Sequence, residues 1–340
     1  MLLQAVAPEP TVAWSAEMYR ASRVMAEATA AIAAFADSVG PGIDPALDPN
    51  RTGLIGPAYT ELFTTLGDLE AKRTTTNPDV AGLLVHLLTR AGVRAGDTIA
   101  VAASGSFPAL AIASVVAAEA MAVHPVTLVS LGASSYGATR PELHVLHIYE
   151  RLRRAGLIGS RPAAVSLGGE HDVGAEFDPQ FRDSISRDLV TRGLRLVREP
   201  DLRRNVTRRM ALYFGEAGTR RIAAFVNVGG SAASLGSSPM ILDVEPGLSG
   251  RLDLPPEERR GVLFRMAARG VPVIHLLHVR GLARRHGLPW DPIPLPAAGS
   301  TPLRDPARPE TAGFWIVTAL YLGGLGAVSV WGRGVRRRAG

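Results

Sequence analysis

The stretch Thr98-Ile99-Ala100-Val101-Ala102-Ala103-Ser104-Gly105-Ser106-Phe107-Pro108 passes from a short apolar run, through a loop of small residues, to a proline that opens a helical pattern. The same sequence of events recurs along the chain. Apolar runs at Thr98 to Ala103, Val126 to Leu131, Ala163 to Leu167, Ile222 to Val228 and Val271 to Leu276 have the composition of strands buried on both faces of a parallel sheet. Between them Pro108 to Ala122, Pro141 to Ala155, Gln180 to Arg192, Asp201 to Ala217 and Pro256 to Ala268 carry helical periodicity. The series predicts an α/β body built as a three-layer sandwich on a mostly parallel sheet.

Four of the predicted strands run into loops of one composition: Ser104-Gly105-Ser106, Gly132-Ala133-Ser134-Ser135-Tyr136-Gly137, Gly168-Gly169-Glu170-His171-Asp172, and Gly229-Gly230-Ser231. In a parallel sheet these ends share one edge, where backbone amides and helix N-termini can face an anionic ligand. None matches a phosphate-binding Walker loop, a dinucleotide fingerprint or a nucleophile elbow. Plain turn chemistry, which glycine and serine serve in any α/β protein, is the alternative reading.

Composition singles out one residue. Of 37 basic side chains only Lys72 is a lysine, and a lysine, unlike an arginine, can lose its proton when buried and act as a base. It lies in Lys72-Arg73-Thr74-Thr75-Thr76-Asn77, whose polar groups are expected to bind ligand together with the loops. The catalytic expectation is a serine, Ser104 or Ser106, with Lys72 or His275 as its base. Equally, Ser106 two residues before Pro108 suits a helix N-cap. The absence of cysteine excludes disulfides and thiolate sites. No motif asks for a cofactor or a metal, and His171, Asp172, His275 and His278 are not spaced as a ligand set on one strand face. His144 and His147, and the arginine pairs at 203–204, 208–209 and 220–221, are expected on solvated surfaces.

The net charge of +6 is uneven. Arg333, Arg336, Arg337 and Arg338 supply four of the six charges, leaving the body without a surface suited to nucleic acid. They follow an uncharged block from Phe314 to Trp331 with aromatic residues at both ends, the pattern of a transmembrane helix with its basic tail in the cytoplasm. The expected organisation is a helical stalk or packing helix over 1–40, the body over 41–288, a Pro-rich linker over 289–313, the membrane helix over 314–331 and the tail over 332–340. That orientation places the body outside the cytoplasm. It also calls for an export signal, which Met1 to Ala7 is too short to supply, so either the start lies upstream with a first membrane helix or the body is cytoplasmic and the tail inserts late.

The segments Asp44-Pro45-Ala46-Leu47-Asp48-Pro49-Asn50-Arg51-Thr52-Gly53, T-T-L-G-D-L-E-A-K-R-T-T-T-N-P, A-S-G-S-F-P-A-L, S-L-G-A-S-S-Y-G-A, V-N-V-G-G and V-P-V-I-H-L-L resemble the poly-gamma-glutamate system protein family over about residues 15 to 300. The resemblance implies a membrane component of poly-gamma-glutamate capsule synthesis and export, working beside other subunits of that system. It assigns no residue roles. Three functions remain in play: a subunit that binds or guides the anionic polymer or its precursor, a serine/lysine hydrolase or transpeptidase acting on it, and, from another class, a cytoplasmic-face enzyme binding a phosphorylated ligand at the Gly/Ser loops.

Overall fold

The computed structural model describes residues 11–306 and 316–325. Residues 13–303 form one compact unit; the described residues 11–12, 304–306 and 316–325 belong to another. In chain order the first unit contains α1 (Ala16–Ser38), β1 (Phe63–Thr65), α2 (Leu69–Thr75), α3 (Asp79–Arg90), β2 (Thr98–Ser104), α4 (Pro108–Ala120), β3 (His124–Ser130), β4 (Ala133–Ser134), α5 (Val145–Arg154), β5 (Ala164–Ser166), α6 (Pro179–Thr191), β6 (Leu196–Val197), α7 (Leu202–Ala217), β7 (Ile222–Asn227), α8 (Ala232–Leu235), β8 (Gly247–Leu248), α9 (Val262–Ala268), β9 (Val273–His275) and α10 (Val279–His286).

Seven strands form one sheet in the order β6-β5-β3-β2-β7-β9-β8, and β1 pairs with β4 in a separate ribbon. All pairings are parallel except β8 with β9. Each apolar run expected as a strand forms one, because a strand covered on both faces has no reason to alternate with polar residues. Strand β2 is buried at every position. Ala100 and Ala102 of β2 share a core cluster with Val206, Met210 and Tyr213 of α7 and Val262, Leu263 and Phe264 of α9. The small β2 side chains leave room for Tyr213, whose hydroxyl donates to the Val101 carbonyl at 3.0 Å. Helix α4 packs on β2 and β3, and is itself covered by α1 and α3.

From β2 the chain steps outward through β3, β5 and β6, then returns to place β7 on the other side of β2. This reversal makes the C-terminal ends of β2 and β7 a topological switch point, the edge at which open α/β sheets bind their ligands.

At the ends of the body the structure distinguishes the two readings of the N-terminal helix and revises that of the linker. Helix α1 is not a free stalk: Met18, Ala21, Met25, Ala28, Ile32 and Ala36 are buried, and Gly82 of α3 meets Trp14 and Ser22 so closely that a Cβ there would lie 2.6 Å from the indole. The Pro-rich segment is not a free linker over 290–301. The Asp79 carboxylate accepts from the amides of Gly299 at 2.6 Å and Thr301 at 2.8 Å, Asn50 Nδ2 donates to the Pro292 carbonyl at 2.8 Å, and Asp291 pairs with Arg73. Backbone amides without strand or helix partners must be satisfied somewhere, and buried Asp79 supplies the acceptors.

In the second unit, Thr11 and Arg304 form an antiparallel bridge and 316–325 is helical and largely exposed. The membrane helix expected at 314–331 lies partly outside the described residues, and the basic tail at 332–340 wholly so. Among the described residues no helix is long and apolar enough to cross a membrane.

Candidate active site

Helix α2 begins at Asp68, whose side chain accepts from the Ala71 amide at 3.1 Å. One turn later Lys72 points inward and is 2 % exposed. Its Nζ donates to the Ser106 carbonyl and, at 2.6 Å, to Ser134 Oγ, and sits 3.7 Å from the centre of the Phe107 ring. Among the described residues no carboxylate joins this hydrogen-bonded group. Burial therefore pushes the lysine down from 10.5 to about 7, against a weaker upward pull from Asp68. Close to neutral pH a large share of the amine is unprotonated and able to accept the proton of a hydroxyl.

The hydroxyl it meets is Ser134, not the expected Ser104 or Ser106. Ser134 ends β4, and its neighbour Ser135 donates its amide to the Thr65 carbonyl of β1 at 2.9 Å. Ser106 acts on Ser134 instead of capping α4: its Oγ accepts from the Ser134 amide at 3.0 Å, while the N-cap position of α4 is Phe107. Ser104 Oγ in turn accepts from the Ser106 amide at 3.3 Å. The β2 and β3 loops are thus locked together. The Ala138 amide donates to the Gly105 carbonyl at 2.7 Å and the Gly105 amide to the Ser130 carbonyl at 2.9 Å. Tyr136 is half-buried and holds a positive φ of 66° in this turn.

Gly67 covers the pair. A Cβ at Gly67 would lie 2.4 Å from the Ser135 carbonyl oxygen, 3.2 Å from Ser134 Oγ and 3.2 Å from Lys72 Cε, so only glycine lets this turn approach. Ser134 is 6 % exposed under it, while the preceding Leu66 is 73 % exposed.

The other expected residues separate into groups. His275 is buried at the end of β9 with Nδ1 3.1 Å from Asn227 Nδ2, and burial, helped by His278, pushes it down to about 4. It is neutral at physiological pH and faces Asn227, so the structure gives it no serine. Gly229 lies against Ser104, whose Oγ would be 2.4 Å from a Cβ there, at a φ of +93°. Gly230 is exposed, and Ser231 caps α8 by accepting from the Ser234 amide at 3.3 Å.

Arg73, expected to meet a ligand, is engaged by Asp291 through a two-point ion pair. Thr74 accepts from the Asp291 amide at 2.9 Å, Thr75 and Thr76 donate to the carbonyls of Lys72 and Arg73, and Asn77 accepts from the Asp79 amide. This polar run holds α2 in place and ties it to the 290–301 segment.

Gly169 and Glu170 stand in an exposed turn, with Glu170 beside His171 at 3.6 Å. Asp172 points inward from the same turn. Its carboxylate accepts from Ser166 Oγ at 2.7 Å, Asn205 Nδ2 at 3.0 Å and Arg209 at 2.5 Å. Arg209 is thereby buried, contrary to the solvated face expected of it, while adjacent Arg208 is exposed. His144 is likewise buried: it caps α5, stacks on His147 at 3.8 Å and is pushed down to about 3 by burial. Among the described residues no group of three or more His, Asp or Glu side chains is gathered as for a metal ion.

Chemically, the group can activate a serine hydroxyl: a nucleophile 2.6 Å from a desolvated amine whose orientation is fixed by the Ser106 carbonyl. Compared with known proteins, the chain matches no family model, no curated protein and no solved structure.

Proposed function

We propose that the chain is a serine/lysine acyl-transfer enzyme, a hydrolase or transpeptidase, with Ser134 as nucleophile and Lys72 as general base. The observation that carries this reading is the 2.6 Å contact between Ser134 Oγ and a lysine held near neutrality by burial. In the first half-reaction the Ser134 oxygen attacks an amide carbonyl and its proton passes to Lys72. Collapse expels the amine, which takes that proton from Lys72, and leaves an acyl ester on Ser134. Water or a second amine, deprotonated by the same lysine, then releases the acyl group.

The substrate follows from the resemblance of the sequence motifs: the amide-linked, polyanionic poly-gamma-glutamate or its precursor. In this proposal a three-layer α/β body stands outside the cytoplasm, anchored by the 314–331 segment and associated with the other subunits of the synthesis and export system. A second reading, in which the body binds and guides the polymer without cutting it, is favoured by the cover that Gly67 and its turn place over Ser134.

The two readings part on turnover. Incubation with poly-gamma-glutamate followed by chain-length analysis should show cleavage or transfer by the wild type. Lys72→Arg should lose about two to four orders of magnitude, the usual worth of a positioned base, and Ser134→Ala, which removes the nucleophile, at least as much. A serine-reactive fluorophosphonate should label Ser134 in the wild type and not in Lys72→Arg. Polymer binding without turnover or labelling would replace the enzyme with the guiding subunit.

A further inference from the structure

A second charged feature lies at the opposite edge of the sheet. A half-open groove of about 600 Å³ is bordered by Arg151, Arg153 and Arg154 of α5, Arg161 ahead of β5, and Arg192 after α6. These elements meet where β5 and β6 begin, whereas Lys72 and Ser134 lie beyond strand C-termini. Phe35, Leu146 and Leu194 are among the apolar residues lining the groove.

One lining carboxylate faces the five guanidinium groups. Glu150 pairs with Arg154 and stands 3.8 Å from Arg192, which also pairs with Asp188 at 2.8 Å. Arg151 lies 5.6 Å from the Phe35 ring and Arg153 donates to the Gly159 carbonyl at 3.3 Å. Among the described residues Arg151, Arg153 and Arg161 have no ion-pair partner. Arginines in the last turn of α5 complement the helix dipole, but Arg161 belongs to a separate segment and serves no helix end. Two chain segments, α5 and the stretch ahead of β5, thus bring unpaired cations to an apolar hollow too large for a single ion, beside Arg154 and Arg192, which are paired with Glu150 and Asp188.

We propose that this groove binds a soluble oligo-anion, its carboxylate or phosphate groups held by the guanidinium forks and its apolar parts on the Phe35 and Leu194 side. Guanidinium pairs two-pronged with either anion, so the shared chemistry is a run of anionic oxygens. The concavity favours a soluble chain over a flat anionic membrane. The proposal is independent of catalysis at Ser134.

Calorimetric titration of the full chain at low salt, with inorganic tripolyphosphate and with a short oligoglutamate, tests it. Binding is expected for at least one, stronger for the better-matched anion and weakened by added salt. Arg151→Glu combined with Arg161→Glu should lower that affinity by about tenfold or more, since two attractions become repulsions. The same variant should keep the wild-type melting temperature and fluorophosphonate labelling, and Arg161→Gln alone, a change at an exposed position, should show a smaller loss in the same direction. Unchanged affinity in the double variant overturns the site. So does binding to phosphatidylserine vesicles with none to either soluble anion, which would make the arginines a membrane contact. Loss of labelling in Lys72→Met with oligo-anion binding intact would leave this site standing apart from the catalytic reading.

Discussion

Replacing Lys72 by methionine, which fills similar space without an ionisable group, should raise stability at pH 7 while abolishing any chemistry at Ser134. The lysine moves from 10.5 when unfolded to about 7 in the fold. At about 1.36 kcal/mol per unit, and with the folded lysine half protonated at pH 7, it costs the native state on the order of 4 kcal/mol there. Between these two values the unfolded chain binds more protons than the native one, so wild-type stability rises as pH rises. Below about 7 both states are protonated and the cost stays at its maximum. By pH 9 the same arithmetic leaves about 2 kcal/mol. Methionine removes the whole cost but leaves the Ser106 carbonyl and Ser134 hydroxyl without their donor, a loss of about 1–3 kcal/mol.

Lys72→Met should therefore exceed the wild type by about 2 kcal/mol at pH 7, and the advantage should close by about 2 kcal/mol at pH 9. Urea unfolding of the two proteins in parallel at pH 7, 8 and 9 measures this difference. Every other titrating group cancels in the comparison, including Tyr149 and Tyr213, both pushed upward by burial. Parallel pH profiles would mean that Lys72 does not change protonation in this range in the fold, and the assignment of Lys72 as a base near neutral pH would fall with it.

Gly67→Ala should separate Lys72 from Ser134, because the new methyl meets a backbone oxygen at 2.4 Å that cannot rotate away; fluorophosphonate labelling should fall sharply while far-ultraviolet circular dichroism is kept, and undiminished labelling would refute the close packing. Asp172→Ala strands Arg209 in the core and should cost about 3–5 kcal/mol in denaturant unfolding, whereas Asp172→Ala combined with Arg209→Met should recover much of it; equal destabilisation by both would show that the carboxylate serves the loop and not the arginine.

The strands were legible in the sequence because strands covered on both faces read as continuous apolar runs, and every run named from the sequence forms one. The short edge strands β6 and β8, two residues each, offered no run to read. Lys72 was legible through composition alone. Its partner was not: Ser104, Ser106 and Ser134 all sit at strand ends or in the Gly/Ser loops beside them, and which hydroxyl meets the amine depends on how β4 aligns with β1, a non-local pairing. Arg209 and His144 were misplaced for a related reason. Charged neighbours suggested a wet surface, but Arg208 and Arg209 are rotated apart on one helix, and the acceptor that makes burial of Arg209 tolerable comes from a loop far away in sequence.

The hydrogen bonds around Ser134 also explain why a chain with 36 arginines keeps a lysine at this point. A guanidinium stays protonated at any relevant pH and brings five donors. The pocket offers Nζ one carbonyl, one hydroxyl and one aromatic face, too few acceptors for a guanidinium, and the pull of Asp68 is weaker than the cost of burial. A lysine can enter because it can leave its proton behind. Gly67, Gly105 and Gly137 meet carbonyl oxygens at distances that a Cβ would violate, so the loops around the pair close without room for a bulkier head. Arginine at 72 would have to carry its charge into that space or push the loops apart. The same tight packing that lowers the lysine's proton affinity therefore selects lysine, and it places an amine pushed down to about 7 against one hydroxyl, that of Ser134.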